Sequence, residues 1–192
     1  MKKLIAITLL CLAPLSVSVA SDSIQVRAEQ SKVVVQEFAG QLMMEMKTAM
    51  KQGGPVQAIK VCNESAPSIA ANMSEKHKWK VGRTSLKLRN PANAPDAWEE
   101  AVLKRFEKRR AAGESPANMA YFEVVDEKGQ KNFRFMKAIG MPPLQKMPCL
   151  KCHGENIDSS ISSKLNKLYP TDKAVGYKPG EIRGAFTIVQ PM

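Results

Sequence analysis

Histidine is the scarcest chemistry-bearing residue in this 192-residue chain, with two against four cysteines. That scarcity narrows the options. A structural zinc site takes four tetrahedral ligands, and beyond one short stretch only scattered Cys and His are on offer. An enzyme working at an open metal position needs a distal acid–base group, and His77 is the sole nominal candidate. No catalytic constellation is visible, so the chain reads as a non-enzyme. Internal repeats and low-complexity tracts are absent too. Long apolar runs are also missing: the one candidate, Leu4 to Val19, is interrupted by Pro14 and is short for a membrane span. Acidic residues are outnumbered, 18 Asp and Glu standing against 29 Lys and Arg, for a formal charge of +11. In the cytoplasm such a balance would suggest nucleic acid. Outside it, acidic proteins or anionic lipid surfaces are the better partners, or simply a solvated basic surface.

The first residues favour the outside. Lys2 and Lys3 precede the apolar run, and Ser18-Val19-Ala20 gives a small-x-small cleavage site before Ser21. The expected organisation is a signal peptide over 1–20 and one domain over 21–192, exported to the periplasm. Cys11 follows Leu10 rather than a small residue, a poor fit to a lipoprotein cysteine.

What the chain does hold is Cys149-Leu150-Lys151-Cys152-His153, followed by Gly154. This C-x-x-C-H pattern is the attachment site of a c-type haem. Two thiols at that spacing add across the porphyrin vinyl groups, and the next residue sets an imidazole under the iron. A thioredoxin-like redox pair would need a βαβ pattern around it, which is lacking. Removing the leader leaves three cysteines, so Cys62 is the odd one in an oxidising compartment. Pairing it with a motif cysteine would sacrifice the haem. It is therefore a buried thiol, an intermolecular link or a ligand.

The pattern from Ser23 to Lys51 is helical, with Val35, Phe38, Leu42, Met46 and Ala49 at three- and four-residue steps. Its methionines, Met43, Met44, Met46 and Met50, read as core filler or helix surface. Gly53-Gly54 should end this helix and Pro55 open the next. On the second helix Ile59, Cys62, Ala66, Ile69 and Met73 form the apolar stripe, and Pro67 should kink it one turn beyond Cys62. His77, flanked by lysines, reads as a solvated loop residue. A short strand from Val81 leads into an extended loop, and Asp96 can cap a third helix to about Ala112. A hairpin of 121–126 and 133–139 turns at Glu127-Lys128-Gly129, with Phe133, Phe135 and Ile139 alternating with Arg134, Met136 and Ala138. Ser159 to Leu168 forms a short helix and Ile182 to Val189 a closing strand. Gly184 within that strand suggests close approach by backbone or cofactor. Helices first and an antiparallel sheet later give an α+β domain.

Several blocks then become familiar: Ala58-Ile59-Lys60-Val61-Cys62 with Ala66-Pro67, Gly82-Arg83-Thr84-Ser85 through Leu88-Arg89-Asn90-Pro91, and Trp98-Glu99. Pro148 to Gly154, Leu168 to Tyr177 and Gly180 to Ala185 continue the series. The chain resembles a bacterial family of single-haem c-type domains with a PAS-like fold, found behind signal peptides and in the extracytoplasmic parts of sensor kinases. The resemblance implies an antiparallel PAS-like sheet with a long N-terminal helix and flanking helices. It also implies one covalent haem c, with His153 and Cys62 as axial ligands. His77, Met141 and Met147 are the competitors for the second position. Arg83, Arg89 and Arg183 are candidates to grip the haem propionates, since a guanidinium can hold a carboxylate with two hydrogen bonds; ordinary ion pairs are the alternative for each. A haem ligated by His153 and Cys62 would sit at low potential with no open position, which suits a redox or diatomic-gas sensing module acting on an unidentified redox or signalling partner. A periplasmic electron-transfer cytochrome is the alternative.

Overall fold

The computed structural model describes residues 16–143 and 148–192, with side chains from Ser23 onward. The first fifteen residues of the expected leader, and Met147, lie outside the described residues.

Helix α1, Ser16–Lys60, carries the β-branched run Val33-Val34-Val35, and the packing of Val34, Val35 and Phe38 on the sheet sustains it there rather than propensity. It is not straight. Gly53 (φ −156°, ψ 20°) and Gly54 (φ 67°, ψ −161°) leave helical geometry and divide it into two limbs, with Pro55 opening the second. The Gly54 angles are open only to glycine. The second limb runs into a π turn, Val61–Ser65, in which the Ala66 N–H donates to the Val61 carbonyl. Helix α2, Ala66–His77, follows with Pro67 in its first turn. Proline cannot donate to the Asn63 carbonyl, and the wider turn absorbs that loss where a kink is expected.

The strands β1 (Lys80–Thr84), β2 (Ala120–Glu127), β3 (Gln130–Gly140) and β4 (Ile182–Pro191) form one sheet in the order β1-β4-β3-β2. Every pair is antiparallel. The β2–β3 hairpin turns through Lys128 (φ 58°) and Gly129 (φ 87°), the positive-φ pair that a tight hairpin demands. Helix α3, Ala97–Ala111, starts at a capping box: Asp96 accepts from the Glu99 N–H, and the Glu99 carboxylate accepts from the Asp96 N–H. The fold is thus α+β with a long N-terminal helix.

Helices cover both faces of the sheet. Phe133, Phe135, Ile188 and Val81 meet Val34, Phe38, Ile69 and Met73 of α1 and α2. Met136, Ala138 and Ala185 meet Val102, Leu103 and Phe106 of α3. Strand β3 is therefore central and buried on both sides, and the Arg134 side of its alternation does not face water. Arg134 is only 4% exposed, pairing with Asp96 at 2.5 Å and Glu127 at 3.0 Å while its guanidinium lies 4.3 Å over Trp98. Two short helices complete the chain, α4 (Leu150–His153) and α5 (Ser159–Leu168). Ile161, Leu165 and Tyr169 of the α5 region pack on Ile59 of α1.

Candidate functional site

The C-x-x-C-H stretch forms one tight turn. The His153 N–H donates to the Cys149 carbonyl at 3.0 Å and the Gly154 N–H to the Leu150 carbonyl at 2.9 Å. A Cβ at Gly154 would lie 2.5 Å from the Leu150 oxygen, so glycine is the residue that lets the chain leave this turn. Residues 172–177 strap the turn down: the Gly176 and Tyr177 N–H groups donate to the carbonyls of Gly154 and His153, both at 2.9 Å.

Arg89 ties turn and strap together. Its Nε donates to Asp172 at 2.8 Å in an ion pair whose side chains are each 6% exposed. Its Nη2 donates to the carbonyls of Cys152 at 2.5 Å and Ala174 at 3.2 Å. The Ala174 oxygen also lies 2.7 Å from His153 Nδ1. Only an N–H can approach a carbonyl so closely, which puts the proton on Nδ1 and leaves Nε2 as the lone-pair nitrogen. Arg89 Nη1 stands 3.4 Å from that Nε2. Burial, then the charges of Arg183 and Arg89, hold the imidazole pKa well below its usual value. The ring is neutral at physiological pH, the form that binds metals.

The turn borders a cleft with about 1270 Å³ of space between its walls, part of it open to solvent. All seven residues singled out in the sequence line it: Cys62, Arg83, Arg89, Cys149, Cys152, His153 and Arg183. The rest of the lining is mostly apolar, including Leu42, Ile59, Leu88, Ile139 and Met141. Cys62 is brought there by the π turn, half-buried and with its thiol free. The thiols of Cys149 and Cys152 are free as well. Burial pushes the Cys149 thiol up, and pushes Cys152 up to about 11 against the opposing pull of Arg89. Both are protonated at neutral pH, unlike the low-pKa thiol of a thioredoxin-type pair. Among the described residues no three His, Cys, Asp or Glu side chains gather into a metal-binding group.

The three arginines differ in how they are held. Arg89 is committed to the turn and strap. Arg183 donates from Nη1 to Ser85 Oγ at 2.9 Å and the Lys87 carbonyl at 3.3 Å, and among the described residues no carboxylate forms an ion pair with it. The Arg83 guanidinium lies 5.7 Å over the Phe38 ring, and among the described residues no carboxylate pairs with it. Burial lowers the pKa of both Arg83 and Arg183. Gly184, beside Arg183, resolves as a close backbone approach: a Cβ there would lie 2.3 Å from the Thr84 oxygen.

His77 is not in a loop and does not line the cleft. It ends α2, stacks on Trp79 at 5.4 Å and sits 3.4 Å from Glu37. Met141 lines the cleft, 3% exposed. Sequence reasoning missed Met43, Met46 and Met50, Tyr169, Asn90 and Asn93, which also border it. Tyr169 is hydrogen-bonded to Asn63, one residue from Cys62. The methionines carried a signal in their number, but a helical stripe of Met is ordinarily core.

A crystal structure titled as that of the cyanobacterial heme-protein Tll0287 superposes with a TM-score of 0.60 at 22% identity, covering 85% of this chain and 95% of that one. At that identity the likeness shows a shared fold. No curated protein matches the sequence. A family profile described as Tll0287-like matches residues 18–191, and the chain belongs to the Tll0287-like family.

Proposed function

We propose that the cleft holds one covalently attached haem c, with Cys149 and Cys152 as thioether anchors and His153 Nε2 and Cys62 Sγ as axial ligands. One observation carries this reading: residues from four separate stretches of chain, 62, 83–89, 149–153 and 183, converge on a single apolar cleft. The side chains suit such a group. The imidazole is neutral and oriented through its Nδ1–H, the usual support of a ligating histidine. Among the described residues no carboxylate forms an ion pair with the Arg83 or Arg183 guanidinium, which fits the two propionates. Arg89 is the orienting residue, since its donors already serve Asp172, Cys152 and Ala174. That the structural neighbour is titled a heme-protein supports the assignment.

Bound there, the haem supplies a one-electron Fe(III)/Fe(II) couple. Cys62 sets its level: a thiolate donates strongly and favours the oxidised state, so the potential sits low among haems whose axial ligands spread it over roughly 0.8 V. With both axial positions filled from the protein, the site is suited to sensing rather than turnover. Cys62 stands on the turn between the Gly53-Gly54 break and Pro67, so a change at its sulfur is passed directly to α1 and α2. The function is thus a periplasmic redox or diatomic-gas sensing module of PAS-like type, exported behind residues 1–20 and reporting to a separate partner protein. An electron-transfer cytochrome is the second reading, favoured by exposed Lys151 within the motif and by the excess of basic residues, which would steer an acidic partner.

The test is made on protein matured in a host able to attach haem c. Intact mass should show one added haem, absent in a Cys149→Ser/Cys152→Ser variant. Electron paramagnetic resonance of the oxidised protein should show a low-spin thiolate signature that Cys62→Ala abolishes. A mass without haem overturns the site. A midpoint potential among ordinary Met/His cytochromes favours the carrier over the sensor.

A further inference from the structure

The methionine stripe of α1 remains without a role. Met43, Met46 and Met50 line the same cleft as Cys62. Their i, i+3, i+7 spacing puts them on one helix face. Met46 and Met50 also pack against Ala58 and Val61, the residues that lead into the turn bearing Cys62. The three are partly exposed rather than sealed in a core. Between them and Cys62 lies the joint of α1, where Gly54 holds angles that only glycine adopts. Sulfur ligands of two kinds therefore stand on either side of one joint, beside one cleft.

We propose that Met46 or Met50 is an alternative axial ligand, replacing Cys62 when the iron is reduced; this rests on the haem site and the Cys62 ligation proposed above. The chemistry distinguishes the two sulfurs. A thiolate is anionic and matched to Fe(III), whereas a neutral thioether stabilises Fe(II) and raises the potential. A one-electron donor, such as a periplasmic redox protein or dithionite, supplies the electron that takes Fe(III) to Fe(II). The Fe–Sγ bond to Cys62 breaks, the released thiolate takes a proton from water, and the methionine Sδ takes the vacated position through a lone pair. No further electron is needed. The first limb is packed on the sheet through Val34, Val35 and Phe38 and the second on α5 through Ile59, so the motion falls on the methionine side chains and on the turn that bears Cys62.

Nuclear magnetic resonance of dithionite-reduced holoprotein with ¹³C-methyl methionine tests this. A thioether methyl held over the porphyrin is displaced far upfield by the ring current, and diamagnetic Fe(II) leaves it sharp. The expected result is one such methyl in reduced wild type, lost in either Met46→Leu or Met50→Leu and kept in Met43→Leu and Met141→Leu. Leucine conserves the volume, so these variants are expected to fold. A reduced wild type with no shifted methyl overturns the exchange, as does a shifted methyl that survives in both Met46→Leu and Met50→Leu. The oxidised spectrum of Cys62→Ala separates this failure from that of the parent reading. If it is unchanged from wild type, Cys62 was never a ligand and both fall. If it changes while the reduced methyl is missing, only the exchange falls.

Discussion

Two of the stretches that border the cleft are held by different forces. Along residues 149–177 the polar groups are tied: Arg89, Asp172, the Ala174 carbonyl and His153 Nδ1 form one continuous hydrogen-bonded set with its ion pair buried. Next to Cys62 in the chain the packing is apolar, Ala58 and Val61 meeting Ala49, Met46 and Met50, although Arg83 and Tyr169 interact electrostatically with the thiol. Backbone irregularity is also concentrated there, at Gly53-Gly54 and in the π turn. The first arrangement fixes the direction of the imidazole, since each hydrogen bond in it has a required angle. The second can yield, because dispersion contacts have no required angle. A site with one fixed and one compliant border is what a reversible change of ligation needs.

Arg89→Ala should break this contrast most severely. It strips a partner from the buried Asp172 carboxylate and should cost about 3–5 kcal/mol, read from urea unfolding. Met46→Leu, on the compliant side, should cost less than about 1.5 kcal/mol in the same assay. Equal losses would show that the two borders are held alike.

Gly54→Ala probes the joint. At φ 67°, ψ −161° an added Cβ is strained, and the expected loss is about 1–3 kcal/mol. Gly40 sits within the first limb with nothing inside 4 Å of its Cβ position, so Gly40→Ala should instead gain about 0.4–1 kcal/mol. Thermal unfolding of the two variants measures the difference. A gain at Gly54 would mean the joint is an ordinary piece of helix.

The smallest effect lies away from the cleft, at the α3 cap. Burial works against ionisation of Asp96, but the Arg134 hydrogen bond and the Glu99 N–H outweigh it and hold its pKa below the usual value. A depressed carboxylate pKa adds stability that is complete above the unfolded value, near pH 4, and is lost as pH falls below it. Urea midpoints should therefore drop more between pH 7 and pH 3 for wild type than for Asp96→Asn, with no change in the haem spectrum. A spectral change would mean that the cap and the cleft are coupled.

Much of this was legible before the chain was folded, and the reason is spacing. Cys149, Cys152 and His153 fall on one turn because their separations are those of one turn. Gly53-Gly54, Pro67, Asp96 and Lys128-Gly129 each act on their own backbone, so each break, cap or hairpin turn could be placed from neighbouring residues alone. Three arginines, by contrast, looked interchangeable, since a guanidinium carries no local mark of its partner. Only packing assigned Arg89 to Asp172 and left Arg83 and Arg183 with no carboxylate ion pair among the described residues. Packing likewise put α3 over the second face of the sheet, which buried Arg134 together with Met136 and Ala138. It took His77 to the end of α2, and it set a stripe of methionines along a cleft as well as against the small core of Ala49, Ala58 and Val61. Local spacing determines which conformations a segment can adopt, whereas which side chains meet is decided by distant surfaces competing for the same burial.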